Sequence, residues 1–183
     1  MNITIIGDSY ASDIPFSWVH LLSKEHAVNC LSQPGCSEYK IWLQSQHVPT
    51  DTDVVIVSHT SWTRIPVESH PVHKTGYHEN CDLMFADCEA NDVTSATEFY
   101  TQHFWPQFWQ DTYKLYRNKI SEQLHDYYVL HLDFFDHGLG TENNKLNFSA
   151  MCWHNKGDIC HMTQLGNQIV RDKVQESIRS QSR

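Results

Sequence analysis

Apolar positions along the chain follow two different periods, and their order predicts the fold. Ile3-Thr4-Ile5-Ile6 reads as a strand. Asp53 to Ser58, in "DVVIVSH", carries four apolar residues in a row, the pattern of a strand buried on both faces and so of a parallel sheet. Val28 to Ser32 and Tyr127 to Phe135 are two further strand candidates. Helical spacing lies between them. In "SDIPFSWVHLLSKEHA", Trp18, Leu21 and Leu22 form an apolar stripe, with Ser12 or Asp13 as the cap and Pro15 in the first turn. "SEYKIWLQSQ" predicts a helix capped by Ser37, with Ile41 and Trp42 inward. Residues 95–125 repeat as Phe104/Phe108, Trp105/Trp109 and Tyr116/Ile120/Leu124, with Pro106 either starting or kinking a helix. Leu165/Ile169 and Val170/Val174/Ile178 predict a last helix capped by Thr163. Residues 62–94 have weak periodicity, two prolines and many His, Asp and Asn, and read as an irregular insertion; 136–158 read as loop.

Strands alternating with helices at this spacing predict a three-layer α/β/α sandwich around a small, mainly parallel sheet of the flavodoxin-like kind, in a single domain over residues 1–183. Ligands of such folds bind beyond the carboxyl ends of the strands. Ser9, Gly35 and Thr60 each follow a predicted strand, so they are expected on one edge of the sheet.

Composition narrows the function. The 183 residues, 40% of them hydrophobic and 19% charged, suit one globular core. A net charge of -9 argues against a nucleic-acid partner. No apolar run approaches the roughly 20 residues of a membrane span. Met1 leads directly into a strand pattern, with no basic and apolar leader, so a cytoplasmic protein is expected. Six cysteines then read as free thiols. Of the 13 histidines, several fall with Cys81 and Cys88 in residues 69–88. His and Cys are zinc ligands. No pair there has Cys-x-x-Cys or His-x-x-x-His spacing, so the stretch reads as a solvated insertion, with no metal and no cofactor assigned.

The chemistry rests on three residues. A serine hydroxyl needs a base to become a nucleophile, and the base needs a partner to hold its tautomer. Ser9 sits on the Gly7-Asp8-Ser9 turn after the first strand, and Asp158 and His161 stand three apart just before the last helix. In these segments the chain resembles the SGNH (GDSL-type) hydrolases. Gly7-Asp8-Ser9 is similar to that family's first block, Gly35 in "QPGCSEYKI" to its second, and "DICHMTQLGNQ" to its last. The resemblance implies Ser9 as nucleophile, His161 as base, Asp158 as its orienting acid, and the Ser9 and Gly35 N–H groups as oxyanion donors. At the third block, where the family places Gly-x-Asn, this chain has Ser58-His59-Thr60, leaving the Thr60 hydroxyl as the expected third donor. Tyr10 stands where the family has Leu, and Asp8 reads as a turn residue that bonds local backbone.

Other residues have a plain reading and a functional one. Arg64, a few residues past the third strand, either forks onto a carboxylate or sugar-acid group or makes a surface salt bridge. Trp62 and Trp153 offer flat faces to a sugar ring, whereas Trp105 and Trp109, at helical spacing, read as core. The expected function is a serine hydrolase that cleaves an acyl ester, O-acetyl carbohydrate included, through an acyl-enzyme. Its expected partner is a small-molecule or glycan ester. The alternatives are a glycan-binding module that kept the fold without the chemistry, and a metal-dependent protein using residues 69–88.

Overall fold

The computed structural model describes residues 1–135, 137–140 and 142–181. Residues 136 and 141, both within the stretch read as loop, and residues 182–183 lie outside the described residues. The strands are β1 (Asn2–Gly7), β2 (Ala27–Cys30), β3 (Val54–His59), β4 (Tyr128–Asp133) and β5 (Lys145–Asn147). They form one sheet in the order β2-β1-β3-β4-β5, and every pairing is parallel. β3 lies at the centre, and all six of its residues are buried, as its unbroken apolar run requires.

Alternation along the strands separates two cores. Ile3 and Ile5 of β1, Val54 and Ile56 of β3, and Leu130 and Leu132 of β4 face one side with Trp18, Val19 and Leu22. Val170, Val174 and Ile178 close that core. Ile6, Val55 and Val57 face the other side with Ile41, Ile120 and Leu124. α1 (Trp18–Leu22) and α7 (Gln164–Gln181) cover the first face; α2 (Glu38–Ser45) and α5 (Pro106–Gln123) cover the second. This is the expected three-layer sandwich. No helix of the described residues is long and apolar enough to cross a membrane.

Several stretches depart from expectation. α1 starts at Trp18, not near Ser12, and its cap is Ser17, whose side chain accepts from the His20 N–H. Phe16 takes a left-handed φ of 69°, which no helix running through it could hold. Residues 95–125 divide into α4 (Thr94–Gln102) and α5, with Pro106 opening the second. The insertion holds a helix, α3 (Phe85–Ala90), and the stretch read as loop holds β5, α6 (Ser149–His154) and β6 (Lys156–Ile159). Trp105 is 65% exposed and Leu165 59%, so neither packs in the core as its spacing suggested. Thr163 does cap α7, since its hydroxyl accepts from the Gly166 N–H.

Candidate active site

The crossover from β1 to β2 runs to one side of the sheet and β3 returns to the other. β1 and β3 therefore flank the point where strand order reverses, the usual place for a ligand crevice. Ser9 leaves β1 there on a single 3-10 turn (Ser9–Ala11). Asp8 caps that turn by accepting from the Tyr10 N–H at 3.1 Å. Its second carboxylate oxygen accepts from the Thr60 hydroxyl at 3.1 Å, so Asp8 also ties the end of β1 to the end of β3. Asp8 is fully buried, and that burial pushes its carboxyl up to about 6 despite the nearby Arg64 cation.

His161 reaches Ser9 from the far end of the chain. β6 folds back on Met162 through a tight turn in which Cys160 and His161 take φ values of 47° and 65°. Cys160 and Met162, on either side of His161, are buried. The Cys160 thiol donates to the Ser12 carbonyl, and Asn167 bonds both the Ile159 carbonyl and the Trp18 N–H. The turn is thus fixed to both α1 and α7. At its tip, His161 Nε2 lies 2.8 Å from Ser9 Oγ. The Tyr10 ring lies 4.8 Å from the imidazole, and its other contacts stack on Phe134 and meet the edge of Phe135. Partial burial lowers the His161 pKa, and Arg64 and His78 add to the effect. That environment favours the neutral imidazole over the imidazolium.

Asp158 is placed differently from the orienting role expected for it. It sits exposed on β6 and makes no hydrogen bond to His161. Among the described residues, His161 has no carboxylate partner.

The three oxyanion candidates differ in what they already bond. Neither the Ser9 nor the Gly35 N–H has a hydrogen-bond acceptor among the described residues. Gly35 turns with φ 72°, and a Cβ there would meet Cys81 Cβ at 2.7 Å, so the position admits only glycine. The Gly35 carbonyl accepts from Arg64 Nη1 at 3.1 Å and from the Asp82 N–H at 2.9 Å. Thr60 cannot serve as the expected third donor in this arrangement. Its hydroxyl proton goes to Asp8, its oxygen accepts from Arg64 Nε at 3.1 Å, and its N–H faces Glu38. Arg64 brings a cation to this edge of the sheet, braced at once on Thr60 and Gly35.

Two surfaces adjoin these residues. Trp62 and Arg64 line a cleft with Ser61, Glu38 and Tyr116. Trp153, 70% exposed and covered on one face by Lys156 Nζ at 3.8 Å, lines an open groove with Tyr10, Phe134 and Phe135. The residues that sequence reasoning missed are Tyr10, as the wall behind His161, and Asp82. Asp82, itself buried, accepts from the Ser37 N–H at the start of α2 and from Val67, and pairs with Lys40. Tyr10 carried a signal, an aromatic ring beside the nucleophile; Asp82 carried none.

No family model and no curated protein matches the sequence. Solved structures do. An acetyl xylan esterase, AlAXEase, superposes at a TM-score of 0.56 with 12% identity, over 97% of this chain and 100% of that one. That likeness shows a shared fold, a parallel sheet between two layers of helices. A Bacteroides fragilis protein named as a candidate acylhydrolase superposes over 100% of this chain and 88% of its own, at 14% identity and a TM-score of 0.45, and adds nothing to the first likeness.

Proposed function

We propose that this SGNH-fold chain is a serine hydrolase acting on small acyl esters. The observation that carries this reading is the 2.8 Å contact between Ser9 Oγ and His161 Nε2 at the switch point of the sheet. In the proposed reaction, Ser9 Oγ attacks the ester carbonyl carbon and its proton passes to Nε2. The carbonyl electrons move onto oxygen, which faces the Ser9 and Gly35 N–H groups. As that tetrahedral intermediate collapses, the ester bond breaks and the alcohol leaves with the proton from Nε2. Water then attacks the acyl-enzyme by the same route and releases the acid. Donors of this kind are each worth roughly 3–4 kcal/mol in the transition state.

Arg64 supplies a positive charge near the place where the family has the Asn donor of its third block. His161 works as one half of a dyad, held by the Tyr10 ring and the turn rather than by Asp158. An O-acetyl group on carbohydrate is the proposed substrate class. Support comes from the exposed aromatic face of Trp153 beside the site and from the fold shared with an acetyl xylan esterase.

The experiment is turnover of p-nitrophenyl acetate with labelling by a fluorophosphonate probe. Wild-type protein should turn over the ester and take the probe on Ser9. Ser9→Ala should lose both, with little change in Tm. A wild-type protein that takes no probe would overturn the enzyme reading and favour a glycan-binding module.

A further inference from the structure

Within the insertion between β3 and α4, one stretch has no regular structure to hold it. From Glu68 to Asn80 most residues are exposed and none lies in a helix or strand. Yet His70, in the middle of it, is fully buried. Its Nε2 lies 3.1 Å from Asp87 Oδ2, but not in hydrogen-bonding geometry, and it has no hydrogen-bond partner. A buried imidazole nitrogen that close to a carboxylate without bonding it needs a reason. His73 Nε2 lies 3.0 and 3.1 Å from the two oxygens of the same carboxylate. One nitrogen of His70, one of His73 and the buried Cys81 sulfur all lie within 4.8 Å of one another.

We propose that His70, His73, Cys81 and Asp87 form a binding site for one zinc-class divalent cation, which holds the insertion in place. Two imidazoles, a thiolate and a carboxylate make a four-ligand set suited to such a cation. The four ligands come from within 18 residues, counted from His70 to Asp87 in the sequence, so one ion can stand in for the apolar core this stretch lacks. Ligation through His70 Nε2 puts the ring proton on Nδ1. The Val72 and His73 N–H contacts to Nδ1, at 3.2 and 3.1 Å, must then give way. Cys81 binds as thiolate, so its proton leaves on binding.

A second cluster shows what a saturated set looks like. His59, His131 and Glu142 also lie close enough to hold an ion. There, however, His59 Nδ1 meets Glu38, His59 Nε2 meets His131, and Glu142 takes two bonds from Arg117. The proposed site also has a neighbour that matters. Cys81 packs directly on Gly35, so the ion would fix the segment on which the proposed oxyanion loop rests.

The test uses the full-length protein without a histidine tag, purified from zinc-supplemented culture. Elemental analysis should find about one zinc per chain, against background levels in His73→Ala and Asp87→Asn. A control change outside the cluster, His125→Ala, should keep the metal. Cobalt(II) added to chelator-treated wild type should give a thiolate-to-cobalt charge-transfer band, absent in Cys81→Ser. Zinc should raise the Tm of chelator-treated wild type and leave that of His73→Ala unchanged. The proposal is overturned by a wild-type protein without zinc and without a zinc-dependent Tm. It is overturned equally by zinc retained in both ligand variants, or by a cobalt spectrum lacking the thiolate band. None of these readouts depends on ester hydrolysis, so failure here leaves the hydrolase reading untouched.

Discussion

In the proposed reaction, His161 has to do two things that its surroundings treat differently. Partial burial, Arg64 and His78 all disfavour its charged form, so it begins catalysis as a free base. The same groups oppose the imidazolium that forms once it has taken the Ser9 proton. A triad answers that with a carboxylate, and loss of that acid costs a triad on the order of 10⁴ in kcat. Here Asp158 makes no contact with the ring, so Asp158→Asn should lower kcat less than about tenfold. A loss of several thousandfold would mean that Asp158 swings onto His161 in the working enzyme. The lowered pKa also sets the acid limb of the pH profile. The base is active when neutral, so kcat/KM should fall only as pH drops through a value below the ordinary 6.5 of histidine. An acid limb centred above 6.5 would contradict the environment described for this ring. Arg64→Gln removes the cation and its brace on Thr60 and Gly35. It should cost on the order of 10²–10³ in kcat if Arg64 stabilises the oxyanion as proposed, measured on p-nitrophenyl acetate.

The loop after β2 depends on two conditions at one residue. Gly35 combines a left-handed φ of 72° with a Cβ direction blocked by Cys81 at 2.7 Å, whereas Gly76 has a φ of 86° and open space around it. Gly76→Ala should therefore cost only the strain of its backbone, about 1 kcal/mol, and leave activity alone. Gly35→Ala should cost clearly more in chemical denaturation and abolish turnover, because the loop has to move off Cys81. Gly35 was legible in the sequence as a turn after a strand, and so were β1, β3, β4, α2 and α7. Each is long enough, or apolar enough, to show its period. β5, with three residues, and β6, with four, are too short to show one. The true start of α1 was hidden because Phe16 adopts a glycine-like φ without being glycine. The same difficulty hid the placement of Asp158. Asp-x-x-His spacing implies a shared turn, but the left-handed backbone at Cys160 and His161, neither of them glycine, decides which way each side chain faces. Thr60 was visible as a departure from the family pattern. Its engagement by Asp8 and Arg64 was not, since those contacts cross 52 and 4 residues of chain.

At the scale of the whole molecule, a buried polar chain crosses from α2 through β3 to β4, and it ties stability to pH. Glu38 meets His59 Nδ1 at 2.5 Å, and His59 Nε2 meets His131 Nδ1 at 2.9 Å. Burial pushes the Glu38 carboxyl up to about 8 from 4.5 and pulls both imidazoles down to about 3 from 6.5. Near neutrality the folded chain therefore holds a proton on Glu38 and none of the charge on either histidine. Between pH 6.5 and 8 the unfolded chain binds no proton at these three groups and the folded chain binds one, so their contribution to stability falls as pH rises. Between pH 4.5 and 6.5 the unfolded chain binds two, on the histidines, against one in the folded chain. There the contribution rises with pH, by up to about 1.4 kcal/mol per pH unit per proton. The three groups together favour a maximum near pH 6.5. Glu38→Gln copies the protonated carboxyl. Its amide can donate to His59 Nδ1, and its oxygen can accept the Thr60 N–H that now faces Glu38. The variant should lose the alkaline decline between pH 6.5 and 8, because Gln releases no proton. It should keep the acid decline and steepen it, since the unfolded chain then gains two protons with no offset. Urea unfolding of both proteins from pH 5 to pH 9 reads the two slopes directly. An unchanged alkaline slope in the variant would show that the decline comes from groups outside this polar chain, and that Glu38 holds no extra proton in the folded protein.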